Sequence, residues 1–161
     1  SRREIINDSY VANVTIQDLL YEIIQSFKAI SVKKINLIIK DNNKKFPIKR
    51  SAEITYGLRN FIGNAIKYSN TKVDIVLTIS NEELKIHISD DGPGFPEDII
   101  NIIGEPYIST KYKKLKSKAG LGLGSFIGKT LLERKKAVIE FMNSKNSGAV
   151  VEIIWQNKDI I

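Results

Sequence analysis

Residues 51–94, SAEITYGLRNFIGNAIKYSNTKVDIVLTISNEELKIHISDDGPG, change their hydrophobic period once, and that change decides the fold. Up to Tyr68, the positions Ile54, Leu58, Phe61, Ile62, Ala65 and Ile66 recur at three and four residues. That spacing predicts a long helix with one buried face. Beyond it the period falls to two: Val73, Ile75, Leu77 and Ile79 alternate with Lys72, Asp74, Val76 and Thr78. After Ser80-Asn81-Glu82, Leu84, Ile86 and Ile88 alternate with Lys85, His87 and Ser89. The pattern predicts a hairpin with one packed and one wet face.

Toward the N-terminus, Thr15-Ile16-Gln17-Asp18 has the Thr-x-x-acid form of a helix start, and Ile16, Leu19, Leu20, Ile23, Ile24 and Phe27 continue at helical spacing. Lys34 to Lys40 reads as a strand that ends at Asp41-Asn42-Asn43, with Phe46-Pro47-Ile48 as its expected hairpin return. Toward the C-terminus, residues 120–136 read as helix after a glycine cluster. Ala137 to Met142 and Ala149 to Trp155 read as a closing strand pair around residues 143–148. Residues 1–9 are polar and aperiodic, and there is no internal repeat. The whole predicts an α/β (α+β) two-layer sandwich: a mixed, mostly antiparallel sheet with helices on one face.

Composition narrows the chemistry. With 161 residues the chain suits one domain. It has no apolar run near the roughly 20 residues that span a bilayer, and its first residues lack a signal peptide's apolar core. Zero cysteines exclude thiolate metal sites and a Cys nucleophile, and a single histidine, His87, argues against a His-based metal cluster or triad. Lys and Arg total 25 against 18 Asp and Glu, a net +7 that suits an anionic partner. Within residues 105–118, Lys111, Lys113, Lys114, Lys116 and Lys118 stand against Glu105 alone, so this stretch holds +4 of the +7. A general excess of Ile, Lys and Asn explains the lysines equally well.

Seven of the ten glycines fall between Gly92 and Gly128, where periodicity is weakest and where backbone can approach a ligand closely. Three segments frame this region. Asn60, Asn64 and Lys67 form one polar stripe on the long helix, which alone reads equally as a solvated face. Asp90-Asp91-Gly92-Pro93-Gly94 puts a carboxylate at a strand end ahead of what could be no more than a tight turn. Gly120-Leu121-Gly122-Leu123-Gly124 opens a helix, where free N–H groups and the dipole favour phosphate. Gly128-Lys129-Thr130 mimics the end of a P-loop, but Leu123 stands where that motif needs glycine. The dinucleotide pattern G-x-G-x-x-G fails at Ser125 and Ile127.

In this order the three segments resemble the N, G1 and G2 boxes of the GHKL ATPase/kinase superfamily, and residues 58–69 look like the N box of sensor histidine kinases. Gly104 to Lys111 stands at the F-box position with Gly in place of the usual Phe. With Thr130-Leu131-Leu132-Glu133-Arg134, this is similar to the RegB/PrrB subfamily of redox-responsive kinases. The resemblance implies the Bergerat fold, ATP and Mg²⁺, with residues 10–157 the catalytic and ATP-binding domain, 105–119 its lid, and 1–9 a stub or linker from the dimerisation helix. It implies that Asn64 binds Mg²⁺ through its amide oxygen. Asn60 and Lys67 would lie toward the phosphates, and Tyr68 would border the adenine. Asp90 would accept the adenine amino group, and Gly92 and Gly94 would keep the pocket wall free of side chains. Lys111 and the backbone of Gly120, Leu121, Gly122, Leu123 and Gly124 would contact the nucleotide. Asn60 stands where the gyrase and chaperone branches carry a water-activating Glu, and an amide cannot take that proton. Little intrinsic hydrolysis is therefore expected.

The phosphoacceptor histidine is expected on a dimerisation domain outside this chain, because His87 falls in a strand with no acid beside it of the kind an H box provides. The resemblance further implies a response regulator as partner and a homodimeric parent anchored in the bacterial inner membrane. The domain itself would be cytoplasmic and monomeric, with no nucleic-acid or direct membrane contact. Two other readings stay open at this level. One is a module that binds ATP without phosphotransfer. The other is a nucleic-acid-binding domain using the basic stretch with Lys33, Lys34, Lys44, Lys45 and Lys49, although no aromatic or Arg cluster accompanies them.

Overall fold

In the computed structural model, which describes residues 13–103, 121–146 and 148–161, a five-stranded sheet carries helices on one face. The elements run β1 (Asn13–Thr15), α1 (Ile16–Lys28), β2 (Lys34–Lys40), β3 (Pro47–Lys49), α2 (Ala52–Tyr68), β4 (Lys72–Ile79) and β5 (Glu83–Asp90). They continue with α3 (Glu97–Ile103), α4 (Leu121–Glu133), β6 (Val138–Asn143), β7 (Ala149–Gln156) and α5 (Asn157–Ile160). The sheet order is β2-β4-β5-β7-β6, parallel between β2 and β4 and antiparallel elsewhere.

Both long helices start where a hydroxyl caps them. Thr15 accepts the Asp18 amide at 3.0 Å and Ser51 the Ile54 amide at 3.2 Å, satisfying N–H groups that a helix leaves free. The apolar stripes of α1 and α2 then meet the packed face of the sheet. Leu19, Leu20, Ile23, Ile24, Leu58, Phe61 and Ile62 are buried with Ile75, Leu77, Leu84, Ile86, Ile153 and Trp155 in one core. Trp155 is fully buried, and its indole N–H donates to the Lys135 carbonyl at 2.9 Å, so its one polar atom is not stranded.

One expected pairing is not formed. β3 does not return along β2; it pairs with β1, Val14 opposite Ile48, while β2 runs parallel to β4, Ile35 opposite Val73. The buried amide of Gln17 explains the diversion: it donates to Asp41 at 3.0 Å and to the Lys44 carbonyl at 2.9 Å, and accepts from the Phe46 amide at 3.1 Å. These bonds draw residues 41–46 to the start of α1. A three-residue return offers β2 fewer ladder bonds than the eight-residue β4.

The Gly128-Lys129-Thr130 decoy lies in the middle of α4. A Cβ on Gly128 would come within 2.9 Å of the Phe61 ring and one on Gly57 within 2.6 Å of Leu132, so both glycines serve the close crossing of α2 and α4.

Candidate functional site

Strand parity builds the site. Asp90 shares its phase in β5 with buried Ile86 and Ile88, so it projects to the helix-covered face at the point where the strand ends. There it lines a cavity of about 300 Å³. The sheet contributes Ile88, Ala149 and Val151, α2 contributes Phe61, Asn64, Ala65 and Tyr68, and the segment after β5 contributes Pro93, Gly94, Phe95, Pro96 and Ile99. Among the described residues the lining is mostly apolar, with Asp90 and Asn64 as its polar exceptions alongside Tyr68.

Two backbone amides hold the Asp90 carboxylate, Gly92 at 2.8 Å and Ala149 at 3.2 Å, and both donate to the same oxygen, Oδ1. Burial pushes the Asp90 pKa above its ordinary value, against the lowering effect of those two amides; Asp91 adds to the rise and Lys33 opposes it. The result is an oriented, half-buried carboxylate in an apolar recess.

Asp91, of opposite parity, serves structure. Its carboxylate accepts from the amides of Asn70 (2.8 Å), Thr71 (2.9 Å) and Lys72 (3.2 Å) and from the Thr71 hydroxyl, and these bonds, the Thr71 hydroxyl's foremost, hold its pKa well below the usual carboxylate range. It ties the end of β5 to the α2–β4 connection. Gly92 is buried where the two segments cross, and a Cβ there would sit 2.1 Å from the Tyr68 carbonyl oxygen. Gly94 has φ +82° and abuts Asn143, whose side-chain amide clamps Phe95: the Phe95 amide donates to Oδ1 at 2.8 Å, and Nδ2 donates to the Phe95 carbonyl at 2.9 Å. Gly148, φ +96°, lets the β6–β7 turn pass over the Asp90 carbonyl, where a Cβ would meet oxygen at 2.0 Å.

Of the residues singled out in sequence, Asn64, Tyr68, Asp90 and Gly94 meet in the cavity. Gly92 packs beside the cavity without lining it. Asn60 donates from its amide to the Tyr56 carbonyl at 2.7 Å, one helical turn away. Lys67 is exposed, with its ammonium 5.3 Å from the Tyr68 ring centre. Leu121, Gly122, Leu123 and Gly124 form the first residues of α4, whereas Lys111, Gly120 and the 105–119 lid lie outside the described residues, as do residues 1–9. Asn143, Gly148 and Asp91 carry no assigned role in the sequence. A turn-forming composition is the only signal at the first two, and nothing local distinguishes a turn asparagine from one that clamps a neighbouring loop.

His87 lies on the open face of the sheet, as its parity requires. A carboxylate does reach it, from the next strand: Glu152, its cross-strand partner, stands 3.1 Å from Nδ1 and 3.9 Å from the Lys85 ammonium. Residues adjacent in space rather than in sequence supply that acid.

Residues 49–159 match the family of histidine kinase-, DNA gyrase B- and HSP90-like ATPases. The sensor histidine kinase RegB of Cereibacter sphaeroides is 36% identical over 124 residues, covering 67% of this chain and 27% of RegB. The chain thus spans about a quarter of that relative. Among solved structures, the catalytic domain of histidine kinase ThkA superposes with a TM-score of 0.66 at 21% identity, covering 90% of this chain and 95% of that one. Full-length ShkA in complex with AMPPNP gives 0.69 at 20% identity, covering 89% of this chain and 30% of ShkA. An apolar recess closed by one oriented carboxylate beside the asparagine-bearing helix, on this sheet order, therefore has a family: the chain belongs to the histidine kinase-, DNA gyrase B- and HSP90-like ATPases.

Proposed function

We propose that the cavity between α2 and β5 takes the adenine of ATP, with the Asp90 carboxylate accepting its amino group, and that the γ-phosphoryl passes to a histidine on a dimerisation domain for relay to a response regulator. The observation that carries this reading is the Asp90 carboxylate, fixed at Oδ1 by two backbone amides at the wall of an apolar recess. Adenine suits that lining. Its faces are apolar, its exocyclic amine needs an acceptor, and Oδ2 is the oxygen that the Gly92 and Ala149 amides do not use.

Asn64 lines the same recess on α2 and offers an amide oxygen, a hard ligand of the kind Mg²⁺ prefers; bound there, the ion would neutralise phosphate charge. Leu121, Gly122, Leu123 and Gly124 are the first described residues of α4, and with Gly120 we assign them to the phosphates, because the N-terminal amides of a helix suit phosphate. In the transfer the bond from the γ-phosphorus to its bridging oxygen breaks, ADP departs with that electron pair, and a phosphorus–nitrogen bond forms on the accepting imidazole.

No carboxylate stands at position 60, and the Asn60 amide is engaged with the Tyr56 carbonyl, so this position offers water no base. This favours transfer of the phosphoryl group over hydrolysis. No helix among the described residues is long and apolar enough to cross a membrane; we place the domain on the cytoplasmic side of a membrane-anchored homodimer, with residues 10–157 as its folded unit. Incubation of the protein with γ-labelled ATP and a histidine-bearing dimerisation segment of a related kinase tests the reading. Acid-labile label on the segment's histidine is expected, and label released only as inorganic phosphate would overturn it.

A further inference from the structure

We propose that Lys33, in the loop between α1 and β2, is a positioning residue for the nucleotide site, closing the C-terminal end of the helix that presents Asn64 and Tyr68. The inference rests on the reading of the cavity as the ATP site. In the sequence Lys33 is one more lysine of a basic chain; in the structure its ammonium turns inward and donates to the carbonyls of Ile66 at 2.6 Å, Ser69 at 2.7 Å and Lys67 at 3.3 Å. An ammonium has three protons, and here three carbonyls receive them. A helix leaves its last four carbonyls without internal partners and ends with partial negative charge, so a cation at this place satisfies both needs. The loop that delivers it is itself fixed: the Lys33 amide donates to the Ser31 hydroxyl at 3.1 Å, and the Lys34 amide to the Thr71 carbonyl at 2.9 Å.

What Lys33 holds is the stretch the site depends on. Asn64 and Tyr68 line the cavity from the last turns of α2, and the Tyr68 carbonyl is the atom against which Gly92 packs without a side chain. From the other side Asp91 binds residues 70–72. The connection is therefore gripped by a cation on the helix end and an anion on the strand start. Lys33 also acts on Asp90 through space: among the described residues the charged groups acting on that carboxylate are Asp91, which disfavours its ionisation, and Lys33, which favours it, beside the neutral amides of Gly92 and Ala149. Lys33 thus does two things for adenine recognition, fixing the wall of the recess and supporting the charge of the acceptor.

The test compares the protein with Lys33→Met, Lys33→Gln and Lys33→Arg, and with Lys34→Met as a neighbouring surface control. ATP with Mg²⁺ is titrated calorimetrically from pH 5 to 8 at a temperature where melting curves show each protein folded. Lys33→Met should weaken ATP binding about tenfold, the size expected for losing a charged hydrogen-bonding group. The pH at which affinity falls on acidification should move upward, because Asp90 becomes harder to ionise. Lys33→Arg should restore both, Lys33→Gln should restore affinity in part and leave the pH displaced, and Lys34→Met should behave as the parent. A lowered melting temperature in Lys33→Met or Lys33→Gln with unchanged affinity and an unmoved acid limb would overturn the inference alone, leaving Lys33 a structural cap. Parent protein that binds no ATP would overturn the reading of the cavity, and this inference with it.

Discussion

Asp90→Asn separates recognition from folding with the loss of one charge and almost no change of shape. The Gly92 and Ala149 amides both donate to Oδ1, so an asparagine that places its carbonyl there keeps both bonds, at 2.8 and 3.2 Å, and puts its NH₂ where Oδ2 was. Toward the protein little is lost. Toward adenine the change is severe, since a charged acceptor disappears, at about 1.5–3 kcal/mol, and a donor then faces the purine's own amine, at about 1–3 kcal/mol for a polar group left unpaired. Partial exposure of the site trims the sum to about 3–4 kcal/mol, which raises the dissociation constant for ATP roughly 100- to 1,000-fold. Because burial already disfavours the ionised carboxylate, its neutral replacement should not lower the melting temperature. Titration calorimetry with ATP and Mg²⁺, beside thermal unfolding of both proteins, reads the two effects separately. Inosine triphosphate adds a check, since its exocyclic carbonyl oxygen accepts where adenine's amine donates: the preference for ATP over ITP should shrink or invert in the variant. An Asp90→Asn protein that binds ATP within tenfold of the parent, or that melts many degrees lower, would refute the assignment of Asp90 as a recognition group.

Gly92→Ala would place a Cβ 2.1 Å from the Tyr68 carbonyl oxygen, a backbone atom that cannot step aside. About 3 kcal/mol of stability should be lost, seen as a fall of about 10 °C in melting temperature. An unshifted melt would show that the crossing is looser than described. Asp91→Asn bears on acid stability. The folded-state pKa of Asp91 lies below its unfolded value of about 4, so its contribution is present above pH about 4 and fades as pH falls toward the lower folded value. The variant should therefore melt lower than the parent at neutral pH, and the gap should narrow from about pH 5 to about pH 2.5. Parallel curves over that range would discard the argument. Asn143→Ala removes both bonds of the clamp on Phe95 and should cost about 1–2 kcal/mol in chemical denaturation while weakening ATP binding several-fold, because the freed segment carries four neighbouring residues of the cavity lining, Pro93 to Pro96. Loss of stability with intact affinity would make the clamp a purely structural device.

The sheet's faces and its two long helices were legible because each depends on a period, whereas Asp90 was singled out through the family resemblance. Parity along β5 assigns Asp90 to the packed face and Asp91 to the other, and helical spacing puts Asn64 one turn before Tyr68. Pairing between distant segments was less legible. The return at Phe46-Pro47-Ile48 read as the nearest partner for β2, yet the bonds that send it to β1 come from Gln17, 29 positions before Phe46 and indistinguishable in sequence from any polar residue on an amphipathic helix. The same holds for Asn143, Gly148 and Lys33. Each acts on backbone atoms of a remote segment, and backbone atoms carry no residue identity for a sequence pattern to match. Glu152 beside His87 belongs here too, since a pairing register brings it there.

The net charge of +7 reads differently once its bearers are placed. Lys33 is held by carbonyls, Lys67 lies over Tyr68, and Lys85, Lys129 and Lys136 face Glu152, Glu133 and Asp159. Lys72 stands near Asp74 and Arg50 is paired with Glu22. Arg59 stacks on Phe27 at 4.9 Å and donates to Ser26. These cations come from helices, strands and the connections between them, each with a partner close by. A nucleic-acid surface needs the opposite, several unpaired cations on one face at phosphate spacing. More than half of the net charge, +4 of +7, sits in residues 105–118, which in sequence follow α3 and precede α4. An anion with several charges, bound at one place and read at its far end by Asp90, accounts for that concentration better than an extended polyanion. A polyanion would gain from lysines spread over the surface; Lys34, Lys44, Lys45 and Lys49 are exposed there, but no aromatic or arginine cluster accompanies them.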